Sequence, residues 1–311
     1  MSATRNLAFI TVAATLILVG VGVYVRATGS GLGCPDWPLC HGGVVPPAEQ
    51  TAVIEFTHRV VAAVVGVLVI ATAVFAWRHF RGTPAVLWPA LAAVPLVGIQ
   101  GGLGALTVWQ ELPPEIVATH LLLAMAILTV MAATALGMLN EMRGGAAPEE
   151  REAALRVGQR AVVTLVVFAA VVWMGGYLGE SGGSTACEGW PLCSGGVFPG
   201  ADDQQITHMV HRYLAALLVV PLAWVALAAW RERGTLRWGP HVTATVTMLY
   251  LAQVGIGALN VLYTFPDALT VTHTVLASLL WLSLSAAALL GFSGQAVPRE
   301  DVPLPRAEAP A

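Results

Sequence analysis

Apolar residues run along this chain in long unbroken stretches, not in the short stripes of a soluble protein. Eight stretches stand out, at 7–27, 54–77, 85–108, 115–139, 160–178, 206–230, 238–262 and 267–291. Each is close to the roughly 20 residues that a helix needs to cross about 30 Å of hydrocarbon. In lipid a helix pairs all its backbone polar groups within itself, which an isolated strand cannot do. The pattern predicts an all-α membrane protein with eight transmembrane helices. The first stretch, from Leu7 to Tyr24, is longer than the apolar part of a signal peptide and reads as a membrane anchor.

Composition agrees. The 311 residues are 57% hydrophobic and 11% charged, where a soluble chain carries about 25% charged residues. The net charge of −3 points to no partner, nucleic acid included, because in a membrane protein the sidedness of charge counts for more than its sum. All 15 basic residues are arginines. Arg5, Arg78, Arg81, Arg143, Arg151, Arg156, Arg160, Arg231, Arg233, Arg237, Arg299 and Arg306 fall on one side of the eight spans. Only Arg26, Arg59 and Arg212 fall on the other side or at its helix ends. This bias predicts that both termini and the segment 140–159 are cytoplasmic, with the long loops 28–53 and 179–205 facing outward. The tail after Phe292, rich in Pro, Ala and charge, reads as disordered.

The chain also repeats itself. One offset of 153 maps Cys34 onto Cys187, Cys40 onto Cys193, His58 onto His211, Gln100 onto Gln253 and His120 onto His273. Seven of ten positions are identical between 34–43 and 187–196, and Gly104-Ala105-Leu106 recurs as Gly257-Ala258-Leu259. No gap is needed, as expected of a duplication. Four spans per half is an even number, so the halves share one orientation. The expected architecture is two tandem parallel four-helix bundles with pseudo-twofold symmetry about the membrane normal. The corresponding units are 1–140, a cytoplasmic linker 141–159, a second half 160–292 and a tail 293–311.

The four cysteines form two pairs, Cys34/Cys40 and Cys187/Cys193, one in each outward loop. An oxidising compartment favours a disulfide in each, and the loops carry turn residues that allow one. Structural clips, a redox-active dithiol and metal binding are the three readings of these pairs.

His41, His79 and His241 lie in loops or at span ends and read as surface or interfacial residues. The other five histidines lie within spans, where an ionisable side chain is costly and marks function. His58 and His120 lie at one depth, roughly 6–8 Å below the outer interface at 1.5 Å per residue. Two imidazoles at one depth in a helical bundle can ligate a haem iron from opposite faces. His211 and His273 repeat the arrangement with the same separation. Zinc fits less well, because a structural site wants four close ligands.

Together these residues resemble the haem A synthase family, membrane enzymes that oxidise a methyl group of haem O to the formyl group of haem A for cytochrome oxidase assembly. The resemblance covers about residues 5–292. It rests on Glu55-Phe56-Thr57-His58-Arg59, on Thr119-His120 and Thr272-His273, and on the paired Cys loops. It implies that His58 and His120 hold the substrate haem O, and that His211 and His273 hold a resident haem b cofactor. It also implies that Cys34 and Cys40 bridge and assist function, that haem O synthase supplies the substrate, and that the enzyme sits in the cell (cytoplasmic) membrane among lipid. Homo-oligomerisation is left open.

The halves differ where such a division of labour needs a difference. Glu55 lies three residues before His58, on the same helix face, and its counterpart is His208. A carboxylate beside a haem edge can take a proton or stabilise positive charge; alternatively Glu55 caps its helix. His208 reads either as a partner of the haem's surroundings or as an interfacial residue. Arg59 and Arg212 each follow a ligand, and could pair with haem propionates or snorkel to headgroups. On residues alone two other classes stay open. One is a di-haem electron-transfer cytochrome or thiol–quinone oxidoreductase, and the other is a haem transporter.

Overall fold

The computed structural model describes residues 2–141 and 147–293. These residues form α1 (Ser2–Ala27), α2 (Gln50–His79), α3 (Pro84–Trp109), α4 (Pro114–Glu141), α5 (Pro148–Glu180), α6 (Asp203–Leu217), α7 (Val219–Arg231), α8 (Gly239–Leu262) and α9 (Asp267–Ser293), with a short 3₁₀ turn at Gly183–Thr185. Eight helical spans are long and apolar enough to cross a membrane, α6 and α7 together making the sixth. The protein is therefore an all-helical, multi-pass membrane protein. Large apolar side chains such as Ile17, Val67, Val166 and Met248 stay exposed on the outside, where lipid in place of water removes the hydrophobic penalty.

Two spans differ from the hydropathy pattern. The fifth helix starts at Pro148, so the segment expected as a linker at 141–159 is largely helical. Hydropathy marks only the part of a helix that sits in hydrocarbon, whereas α5 continues through polar residues beyond it. Pro148 at the first helical turn, followed by Glu149 and Glu150, suits a helix start. Arg156 ties this polar end to Glu152 at 2.8 Å and to Glu232 at 2.9 Å. The sixth span is broken at Leu218. Pro221 has no N–H to donate to the carbonyl of Leu217, which accounts for the break. Thr164 of α5 instead donates to the Pro221 carbonyl at 3.2 Å. The tail from residue 294 onward, expected to be disordered, lies outside the described residues.

In the first half α1 and α3 each pack on both α2 and α4. In the second half α5 packs on α6, α7 and α9, and α8 on α7 and α9. Between the halves α4 meets α5 and α9, and α1 meets α9. Val19 and Met125 of the first half join Phe168, Leu222, Leu280 and Trp281 of the second in one apolar cluster. Within that boundary Trp281 Nε1 donates to Thr129 Oγ1 at 2.8 Å, and Thr129 pairs with Ser285 at 2.9 Å. Such bonds are worth about 0.6 kcal/mol each in a bilayer.

The offset of 153 extends into the backbone. Cis peptides at Trp37-Pro38 and Trp190-Pro191 correspond, as do left-handed residues at Glu111-Leu112 and Thr264-Phe265, and at His41 and Ser194. Antiparallel bridges Cys40–Gly43 and Cys193–Gly196 close the two loops in the same way.

Candidate functional site

His58 sits on α2 and His120 on α4, two helices separated by α1 and α3. His211 and His273 take the corresponding places on α6 and α9. In all four the Nδ1 atom is buried and has no hydrogen-bond partner. An unpartnered buried nitrogen is costly, and four at equivalent places make these rings the candidates to hold a ligand.

A second feature was not read from the sequence. Each of the four rings lies against a glycine of a neighbouring helix. A Cβ built on Gly22 would stand 3.0 Å from His58 Cε1, and one on Gly175 3.0 Å from His211 Cε1. On Gly104 it would stand 3.3 Å from His120 Cε1, and on Gly257 3.0 Å from His273 Cε1. Any other residue would press on the imidazole. The signal was present in the repeat, since 153 maps Gly22 onto Gly175 and Gly104 onto Gly257, but only helix packing gives it meaning. Gln100 and Gln253, also paired by the repeat, support the rings differently. Gln100 donates to the backbone carbonyl of His120 at 2.9 Å, whereas the Gln253 amide nitrogen lies 3.1 Å from His273 Nε2.

The donor set fits a haem. Porphyrin supplies four nitrogens and leaves the protein to offer axial ligands, for which paired imidazoles suffice. Among the described residues no three His, Cys, Asp or Glu side chains cluster to hold a bare metal ion.

Disulfides join Cys34 to Cys40 and Cys187 to Cys193, with S–S distances of 2.04 and 2.07 Å. The first loop is tied further by Asp36, which accepts from the His41 N–H at 2.6 Å and the Gly42 N–H at 2.8 Å. The Gly42 N–H in particular holds the Asp36 carboxyl below the usual carboxylate range. The second loop has Gly189 at the equivalent position.

Glu55 is 4% exposed. The helix cap of α2 is Glu49, so Glu55 stands in the second turn and does not cap the helix. Its Oε2 accepts from the Cys34 N–H at 2.9 Å, and its Oε1 pairs with Arg59. Arg59 also donates to the carbonyls of Asp36 at 2.7 Å, Leu39 at 2.6 Å and Cys34 at 2.9 Å. Beside the propionate or headgroup that its place in the sequence suggests, Arg59 finds a third set of partners in the fold. The guanidinium threads the disulfide loop onto α2 and fixes the carboxylate one turn before His58.

The second half keeps the outline and changes the groups. His208, 3% exposed, turns its Nδ1 to the Gly183 carbonyl at 3.0 Å. Arg212 donates to the loop carbonyls of Pro191 at 3.2 Å and Leu192 at 3.1 Å, but its Nε and Nη2 are buried without partners.

The chain is similar to known proteins along most of its length. A profile of a family described as cytochrome oxidase assembly protein matches residues 5–285. The haem A synthase of Symbiobacterium thermophilum is 33% identical over 293 residues, which is 92% of this chain and 94% of that protein. The haem A synthase of Alkalihalophilus pseudofirmus is 32% identical over 288 residues, 89% of this chain and 93% of that protein. The haem A synthase of Shouchella clausii is 32% identical over 292 residues. With its paired buried histidines, its two clipped loops and a profile match along nearly its whole length, this chain belongs to the cytochrome oxidase assembly protein family, alongside haem A synthases.

Proposed function

We propose that this chain is a haem A synthase of the cell membrane, oxidising a methyl group of haem O to the formyl group of haem A. His58 and His120 hold the substrate haem. His211 and His273 hold a resident haem b, which when bound supplies one-electron redox chemistry at its iron. The two halves are related by a pseudo-twofold axis along the membrane normal, with termini cytoplasmic and Cys loops outward. The arginine distribution and the even number of spans per half support that orientation.

The observation that carries the reading is Glu55. Converting a methyl to a formyl group adds an oxygen atom, drawn from water or dioxygen, and removes protons and electrons from one carbon. The electrons leave to an external acceptor, and the protons need a base in reach of the substrate. Glu55 is a buried carboxylate on the face of His58, in one half only. Arg59 and the Cys34 N–H hold its two oxygens in place, so no reorganisation is needed when the proton moves. Gly22 and Gly104 let the neighbouring helices close on the imidazoles. Delivery of haem O by a haem O synthase in the same membrane follows from the insolubility of that substrate.

Co-expression with a source of haem O, followed by chromatography of extracted haems, tests this. The wild-type chain is expected to produce a formyl haem, which neither a transporter nor an electron-transfer cytochrome would. Glu55→Gln keeps size and hydrogen bonding, and is expected to retain haem b and bound substrate while losing formyl product. Wild-type product from Glu55→Gln would move the chemistry to another residue, and unaltered haem from the wild type would end the synthase reading.

A further inference from the structure

Arg26 lies in the last turn of α1, in the first half, yet its side chain points into the second. Its guanidinium rests on Gly179 of α5, where a Cβ would overlap Nη1. The offset of 153 maps Arg26 onto Gly179 itself. The duplication has therefore kept an arginine on one side of the boundary and cleared space for it on the other. Arg26 Nε lies 3.9 Å from Glu180 Oε1, with side-chain exposures of 27% and 14%. Glu180 is likewise unmatched, its counterpart being Ala27. At 3.9 Å this is an ion pair and not a hydrogen bond. Among the described residues the guanidinium has no hydrogen-bond acceptor, although it carries five N–H donors.

Gly179 lies one turn along α5 from Gly175, on which the His211 ring is seated, and α1 packs on α9, the helix that carries His273. Arg212, next to His211, leaves Nε and Nη2 buried and unpartnered. Arg212 beside His211, and Arg26 one turn beyond the glycine that seats that ring, thus both bring unused donors to the second half. In the first half Arg59 is taken up by Glu55 and three loop carbonyls, and the second half has Gly179 where Arg26 stands in the first, so it sends no equivalent arginine back. Unsatisfied guanidinium donors at low dielectric are costly unless an anion joins them. A haem carries two carboxylates on its propionate arms.

We propose that Arg26 reaches across from the first half to bind a propionate carboxylate of the haem held by His211 and His273, and with Arg212 makes that haem a permanent resident. The inference rests on the assignment of a haem to those histidines. It gives the division between halves a physical basis. The second-half haem is held by ligands and by free arginines, whereas the first-half haem is held by ligands alone and exchanges as substrate and product must. The same donors would also suit a lipid phosphate, so the test separates the two.

Full-length Arg26→Gln, Arg26→Lys and Glu180→Gln proteins, purified in detergent, are compared for haem b content, for the rate of haem loss to apomyoglobin, and for the midpoint potential of haem b. Arg26→Gln is expected to lose haem b about tenfold faster, the effect of one charge-assisted hydrogen bond. Its potential should fall, because a lost cation favours ferric over ferrous iron. Arg26→Lys should lie between it and the wild type. Glu180→Gln should shift both quantities the opposite way, since it removes the competing carboxylate, and it carries the test should Arg26→Gln fail to insert. Reconstitution with haem dimethyl ester, which has no free propionates, should abolish the difference between Arg26→Gln and wild type. Unchanged retention and potential in Arg26→Gln, an unchanged Glu180→Gln, or an equal loss with the ester would each overturn the proposal, the last pointing to lipid or to packing. Absence of any His211- and His273-dependent haem spectrum in the wild type would instead remove the underlying haem assignment.

Discussion

The two halves of this chain use the same skeleton for different ends. Both carry a clipped loop, an arginine reaching back to that loop, and two histidines seated on glycines. In the first half both Nη atoms of Arg59 are engaged and a carboxylate stands one turn before His58. In the second the arginine keeps two unused donors and a histidine turns away to a carbonyl. After duplication the parts that seat the ring were kept, and the polar groups around it diverged. Chemistry needs a base and an exchangeable substrate; a resident cofactor needs an anchor.

The comparison breaks most decisively at the ligands. Replacing His211 or His273 with alanine should remove the haem b spectrum, while replacing His58 or His120 should spare it and abolish formyl haem production. Optical spectra of membranes and chromatography of extracted haems check this, and four variants with wild-type spectra and product would defeat the paired-ligand reading.

A smaller effect is expected at the glycines. Valine at Gly175 should push on His211, and valine at Gly22 on His58, each straining its site by about 1–3 kcal/mol. Gly175→Val should then weaken haem b binding with substrate binding intact, and Gly22→Val the reverse. Haem titration of each purified variant reads the difference. Loss of both haems from either variant would mean that the glycines serve general packing.

The cysteines give the finest distinction. Opening either short loop should cost about 2 kcal/mol in the chain-entropy picture, so Cys34→Ser and Cys187→Ser should lower thermal stability alike. Only Cys34→Ser loosens the loop that positions Glu55 through the Cys34 N–H, so only it should cut formyl haem production. Equal activity in the two variants would reduce the first loop to a clip like the second.

Much of this was legible in the chain. Hydropathy runs located the eight spans, because crossing a bilayer demands length and apolarity whatever the neighbours. The repeat picked out the four histidines, since an ionisable residue survives in a span only for a reason. Other features were only half legible. Gly22 and Gly175 obey the same offset as the histidines, yet nothing in their sequence context says that an imidazole lies opposite. Glu55 was readable as a carboxylate near His58, but not its bond to the Cys34 N–H, which depends on how the loop folds back across a sequence separation of 21.

The sequence by itself determined the class, the spans, the duplication and the pairing of histidines and cysteines by the repeat, because each follows from local hydropathy, local spacing or internal identity. Only the tertiary structure decided which groups those residues meet. The seat of each imidazole, the capture of Arg59 by the loop and the crossing of Arg26 into the other half depend on how helices distant in sequence are rotated and stacked. Arg26 shows the limit most plainly. Its partner position, Gly179, is recognisable only once the end of α1 lets the Arg26 side chain reach α5, since a space left by a missing side chain has no signature along the chain.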